Sequence, residues 1–188
     1  MLFCFDVESN GLLGDAFAFG AVILDPGFQV IDTKIAVAPF PDKPDPWVLE
    51  NIIETNVLPK PSVETLYELQ AQFWEFYKTY RWRINGITDI QFVVDIGYPV
   101  ETTFLRACQV TFGSTHEGPY PLLDVASLLA GRGFDPDINR IDFLRTCTLP
   151  EFATLDVRFE DKQHNPLFDA YISALTANCL LHPETLPQ

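Results

Sequence analysis

Basic side chains are scarce in this sequence. Twelve Lys and Arg stand against 26 Asp and Glu over 188 residues, a formal net charge of −14. That balance weighs against tight, sequence-independent binding along a duplex, which relies on many cationic contacts to phosphate. If nucleic acid is the substrate, contact should be short and local, with a divalent cation supplying positive charge that the side chains lack. Cysteine is also sparse. Cys4, Cys108, Cys147 and Cys179 form no C-x-x-C pair, so neither a zinc site nor a disulfide framework is indicated, and a reducing, cytoplasmic setting fits best. Long apolar runs are missing as well. The longest, Ala16 to Leu24, is too short to span a bilayer, and no charged leader precedes an apolar segment. The expectation is a soluble, unprocessed protein with no membrane partner.

What the chain does have is enough apolar material for a core: 47% hydrophobic and 13% aromatic residues exclude a disordered chain and fit one domain, residues 1–188. Residues 2–7, Ala16 to Leu24 and Gln29 to Ala38 read as strands, the last two joined by the turn Asp25-Pro26-Gly27-Phe28. The stretch from Pro39 to Pro46 carries four prolines in eight residues and must be a loop. A short helix is expected from Trp47 to Thr55. Ser62 is the candidate N-cap of a helix whose apolar stripe runs Leu66, Leu69, Phe73, Phe76, Tyr77 and Tyr80. Ile90 to Asp95 is a buried-strand pattern, and Pro99 opens a helix with Phe104, Leu105 and Cys108 on one side. Pro121 to Leu123, with Asp124 capping a helix to Ala130 and Gly131 closing it, repeats strand-to-helix. Between Arg132 and Gln163 the pattern is weak. The last helix is capped by Asn165, has Pro166 first, and runs to Leu181. Hairpin-joined strands followed by alternating helices and strands predict an α/β fold with a mixed sheet and helices on its faces.

Three places concentrate chemistry. In Phe3-Cys4-Phe5-Asp6-Val7-Glu8 the alternation of an extended chain puts Asp6 and Glu8 on one face. Neighbouring carboxylates raise each other's pKa unless a cation neutralises them, and hard oxygen donors suit Mg²⁺ or Mn²⁺. At the last helix, His164 lies just before the cap and Asp169 at the fourth helical position. These two positions normally carry a hydrophobic staple. Between them the chain offers two acids, Asp95 closing an apolar strand and Glu101 in the first turn of the next helix.

Asp-x-Glu at a strand end, an acid at a strand-to-helix junction and His-x₄-Asp opening a late helix together resemble the DEDDh family of 3′-5′ exonucleases, DnaQ-like enzymes on the ribonuclease H-like fold. The order and spacing match over nearly the whole chain. Asp6 and Glu8 match the first motif, with Ser9-Asn10-Gly11 where the family often has Thr-Gly. His164 and Asp169 match the third, and Asn165 stands where the sister subclass has a tyrosine. The middle motif departs from the pattern: Ile96 to Leu105 lacks its His-Asn pair, and Glu101 takes the place of an Asp. Glu101 is preferred there as ligand, with Asp95 kept as a site residue. Leu123-Asp124 matches a strand-ending Asp of structural role.

The resemblance implies a mixed five-stranded sheet of three antiparallel strands followed by parallel ones. It also implies two divalent cations, Mg²⁺ or Mn²⁺, about 3.5–4 Å apart, held by Asp6, Glu8, Asp169 and the middle acid. His164 would be the general base, and nucleoside 5′-monophosphates would be released from the 3′ end of single-stranded DNA or RNA. Ser9, Asn10 and Gly11 are candidate substrate contacts. Phe19 is a candidate base-stacking residue, as are Phe17, Phe40 and Trp47. Homodimerisation is left open. The alternative reading is a ribonuclease H-like module that binds nucleic acid or protein and has lost catalysis.

Overall fold

The computed structural model describes residues 1–81, 90–113, 117–150 and 163–186. Its first three strands, β1 (Leu2–Ser9), β2 (Ala16–Leu24) and β3 (Val30–Val37), form an antiparallel meander. The proline-rich stretch leads into a short helix α1 (Pro46–Val48), which continues as a π-helical turn over Leu49–Ile53. Helix α2 (Leu66–Arg81), strand β4 (Gln91–Val94) and helix α3 (Val100–Phe112) follow. Strand β5 (Leu122–Asp124) leads directly into α4 (Val125–Gly131). Helices α5 (Arg140–Thr146) and α6 (Pro166–Leu181) follow, and a 3-10 turn over Pro183–Thr185 comes after α6. The sheet order is β3-β2-β1-β4-β5, with β4 and β5 parallel to β1.

Alternation along β1 divides the core in two. Phe3, Phe5 and Val7 face α2 and α3, in an aromatic cluster with Phe19, Phe73, Tyr77 and Phe92. Leu2 and Cys4 face the other way and pack with α4, α5 and α6. Asp6 and Glu8 continue that second row. Helix α6 is buried between the sheet and α4 and α5, which is why its sequence is apolar almost all round.

Several ends differ from the sequence reading. Ser62 does not cap α2: its Oγ accepts the Val37 N–H (3.1 Å), and Thr65 Oγ1 accepts the Glu68 N–H (3.2 Å) instead. Helix α3 begins one residue after Pro99. Gly131 ends α4, but the left-handed residue that turns the chain is Gly133, at φ +83°. Helix α5 lies where the sequence pattern was weak, and Asn139 caps it by accepting from Ile141 and Asp142 N–H. Among the described residues no helix is long and apolar enough to cross a membrane.

Candidate active site

The acids gather at the C-terminal edge of β1 and β4, the edge at which open α/β sheets bind ligands. Gly20 on β2 pairs directly with Asp6, and it is the reason a helix can reach them. A Cβ at Gly20 would lie 2.0 Å from Leu167 N and 2.2 Å from Pro166 C, both backbone atoms of the first turn of α6. The missing side chain lets α6 rest its N-terminus on the strand and bring Asp169 over β1. Sequence reasoning missed this residue, although a glycine inside an otherwise apolar strand is a signal of close backbone approach.

His164 has a left-handed backbone, φ +66°, uncommon for a side-chain-bearing residue. Its N–H donates to Asp169 Oδ2 at 2.9 Å, and Asn165 Oδ1 accepts from Leu167 and Phe168 N–H. Asp169 therefore answers the histidine's backbone rather than its ring, which leaves the imidazole directed at the acids. Glu8, His164 and Asp169 each place a ligand atom within 4.8 Å of the others.

Electrostatics tie in the remaining carboxyls. Burial, then Glu8, Asp169, Glu101 and Asp95, push the Asp6 carboxyl far above the usual range. Burial, with Asp169 and Glu101 adding to it, pushes Glu8 up to about 8. Asp169 is pushed up to about 7, chiefly by burial, against the lowering effect of the His164 N–H. Glu101 is buried on the first turn of α3 and is also pushed up to about 7 by desolvation, with Asp95 adding to it. The imidazole of His164 moves the other way: burial lowers its pKa, disfavouring the charged ring. A cluster of acids this poorly solvated is in want of positive charge, and a set made of carboxylate oxygens fits Mg²⁺ or Mn²⁺.

Asp95 is differently committed. Its Oδ1 accepts from Arg140 Nε at 2.6 Å, and Arg140 Nη1 donates to the carbonyls of Pro136 and Ile138. A carboxylate already matched by a guanidinium has less to offer a metal. Arg140 went unseen in the sequence because it belongs to the helix that pattern did not reveal. Asp124 accepts Gly97 N–H (2.8 Å) and Ser127 N–H (2.7 Å), fastening the loop before α3 to β5 and α4.

The expected substrate contacts separate. Phe19 is 0% exposed and packs edge-on against Phe73, so it is core and cannot stack a base. Asn10 is used up by the protein: its Oδ1 accepts Asp45 N–H (2.6 Å) and its Nδ2 donates to Lys43 O (3.1 Å). Ser9 Oγ donates to Gly11 O (2.8 Å), and Gly11 turns the chain at φ +74°. Phe17 is buried against Phe40. Trp47 is 53% exposed, its ring perpendicular to that of His164 with centroids 5.1 Å apart.

Two cavities flank the acids. One, of about 230 Å³, is bounded by Asp6, Asp95, Arg140, His164 and Asp169. The other, of about 410 Å³, is bounded by Glu8, Ser9, Gly11, Trp47, Val48 and Val100.

No protein-family profile matches the sequence, and no curated protein matches it. Solved structures do match in fold. The nuclease domain of 3′hExo, a DEDDh family member, bound to rAMP, superposes with a TM-score of 0.64 at 12% identity over 98% of this chain and 92% of that one. Exonuclease X in complex with 5′ overhanging duplex DNA gives 0.55 at 16% identity, over 97% and 92%. E. coli Exonuclease I in complex with an oligonucleotide gives 0.56 at 16% identity, over 97% of this chain and 40% of that one. The fold is thus one shared with solved exonuclease structures: a mixed sheet of three antiparallel strands followed by two parallel ones.

Proposed function

We propose that residues 1–188 form a single metal-dependent 3′-5′ exonuclease domain that releases nucleoside 5′-monophosphates from single-stranded DNA or RNA. The observation that carries this reading is the meeting of Glu8, His164 and Asp169 within 4.8 Å, beside Asp6 and Glu101, on a fold shared with exonucleases. Asp6, Glu8, Asp169 and Glu101 would hold divalent cations. Such ions supply Lewis acidity that activates water and offsets charge on the leaving 3′ oxygen.

The rest is the work of the chain. His164, whose pKa burial lowers, takes the proton of the attacking water. Its φ of +66° and the bond from its N–H to Asp169 keep it facing the acids. The cavity beside Glu8 and Ser9 receives the terminal nucleoside, and Val48 and Val100 give it an apolar floor. Glu101 rather than Asp95 is the middle ligand, because Arg140 already neutralises Asp95. Four free thiols accord with a reducing, cytoplasmic setting.

The test is a panel of 5′-labelled DNA and RNA oligomers with free or phosphate-blocked 3′ ends, incubated with Mg²⁺ or Mn²⁺. A ladder shortening one nucleotide at a time from free ends, absent with chelator and in Asp6→Ala, is the expected result. Binding without shortening would instead indicate a module that has lost catalysis.

A further inference from the structure

Resting on the exonuclease reading above, we propose that Trp47 is a positioning residue for His164, set in place by the turn that follows the Asp6–Glu8 strand. A general base must have its ring oriented, usually by a hydrogen bond to the second nitrogen. Among the described residues no hydrogen bond reaches the His164 imidazole. What meets it is the indole of Trp47, perpendicular to it at 88° with centroids 5.1 Å apart, the edge-to-face arrangement that aromatic rings favour.

Burial does not account for this tryptophan. Its neighbours Val48 and Ile52 are core residues, whereas Trp47 is left 53% exposed. Its location is nevertheless fixed. Asp45 Oδ1 accepts the Trp47 N–H (2.9 Å), Asn51 Nδ2 donates to Trp47 O (2.9 Å), and Asp45 is itself held by Asn10 Oδ1 at 2.6 Å. Gly11 turns the chain there with a left-handed φ of +74°, and a Cβ added to it would already be in contact with the Asp45 side chain at 3.8 Å. The chain that carries Glu8 thus continues through Asn10 and Asp45 to Trp47 and so to the histidine. The acids and the base keep one geometry although they lie at opposite ends of the sequence. Trp47 also lines the cavity beside Glu8, so a nucleoside seated there touches the indole that orients the imidazole.

The two roles separate in a double-mutant cycle. With Mn²⁺ and a short single-stranded oligomer, Trp47→Leu should lower kcat roughly tenfold, and Trp47→Phe should restore most of it. In a His164→Ala background Trp47→Leu should lower kcat no further, while KM still rises because a cavity wall is lost. An equal kcat loss in both backgrounds would overturn the proposal. A second readout needs no activity. In the wild type at pH 8, the His164 ring-proton resonance, assigned with His164→Ala, should be displaced by the indole ring current. Trp47→Leu should return it towards the position of a free imidazole, and Asn10→Ala should move it the same way. A resonance that Trp47→Leu leaves in place refutes the positioning role whatever the activity. A resonance that moves, in a protein with no metal-dependent release, refutes the exonuclease reading alone.

Discussion

Gly20→Ala adds one carbon to a residue that supplies no ligand atom but pairs with Asp6 across the sheet, and it should disable the site. The added Cβ would stand 2.0 Å from Leu167 N, 2.2 Å from Pro166 C and 2.3 Å from Leu167 Cα, where ordinary contact begins at 3.4 Å. All three are backbone atoms, so no side chain can swing away. Either β2 bends or α6 withdraws by at least about 1 Å, since packed interiors hold no slack to absorb it. Overpacking of this kind costs about 1–3 kcal/mol, which in a chain this long lowers the melting temperature by roughly 3–10 °C. The activity loss should be larger than the stability loss implies. Helix α6 carries Asp169 on the turn that touches Gly20, and a misplacement of about 1 Å at a reacting centre costs on the order of a hundredfold in rate. The assay is mononucleotide release with Mn²⁺, well below the melting temperature of the variant. Gly131→Ala is the control, because a Cβ there meets nothing within 4 Å, and it should be neutral. A Gly20→Ala protein that melts and cleaves like the wild type would refute the account of how α6 reaches β1.

Other consequences follow from the electrostatics. Glu8, Glu101 and Asp169 bind protons more tightly folded than unfolded. Without metal, the melting temperature should therefore fall as pH rises from about 5 to about 8, and Mn²⁺ should raise it most at the upper end; a metal-free curve that climbs with pH would contradict the burial of these acids. Glu101→Gln should reduce release on the order of a hundredfold or more. Asp95→Asn, which removes a carboxylate already paired with Arg140, should cost far less, and the reverse ranking would exchange the two assignments. His164→Ala should lower kcat by about 10²–10⁴-fold while leaving Mn²⁺ affinity nearly unchanged. Full activity at neutral pH in that variant would remove the histidine from its role.

The fold was legible where local rules suffice. Strict alternation in β1 put Asp6 and Glu8 on one face, and Asn165-Pro166 announced the start of α6. The sheet followed from hairpin turns and from strands leading into helices. What could not be read was contact between distant segments. Strand β2 is buried on both faces, so its alternation does not reveal that Phe19 points into the aromatic core rather than towards the site. Asn10 looked available for substrate because its partners, Lys43 and Asp45, lie in a loop whose path no pattern reports. Glu101 is preferred to Asp95 on register alone; the ion pair of Asp95 with Arg140, on a helix with no visible signature, could not be read from the sequence. The geometry of His164 needed both Gly20 and the Asp169 bond to its backbone, and only the second lies within one motif.

The most direct test of the central claim is titration of the protein with Mn²⁺ at pH 7.5, with free ion followed by its electron paramagnetic resonance. The account predicts stoichiometric loss of the free-ion signal in the wild type, loss of that binding in Asp6→Asn and in Asp169→Asn, and near-normal binding in Asp95→Asn. Equal, weak uptake by all four proteins would contradict it, because the buried carboxyls of β1, α3 and α6 would then be a cluster without a cation to hold.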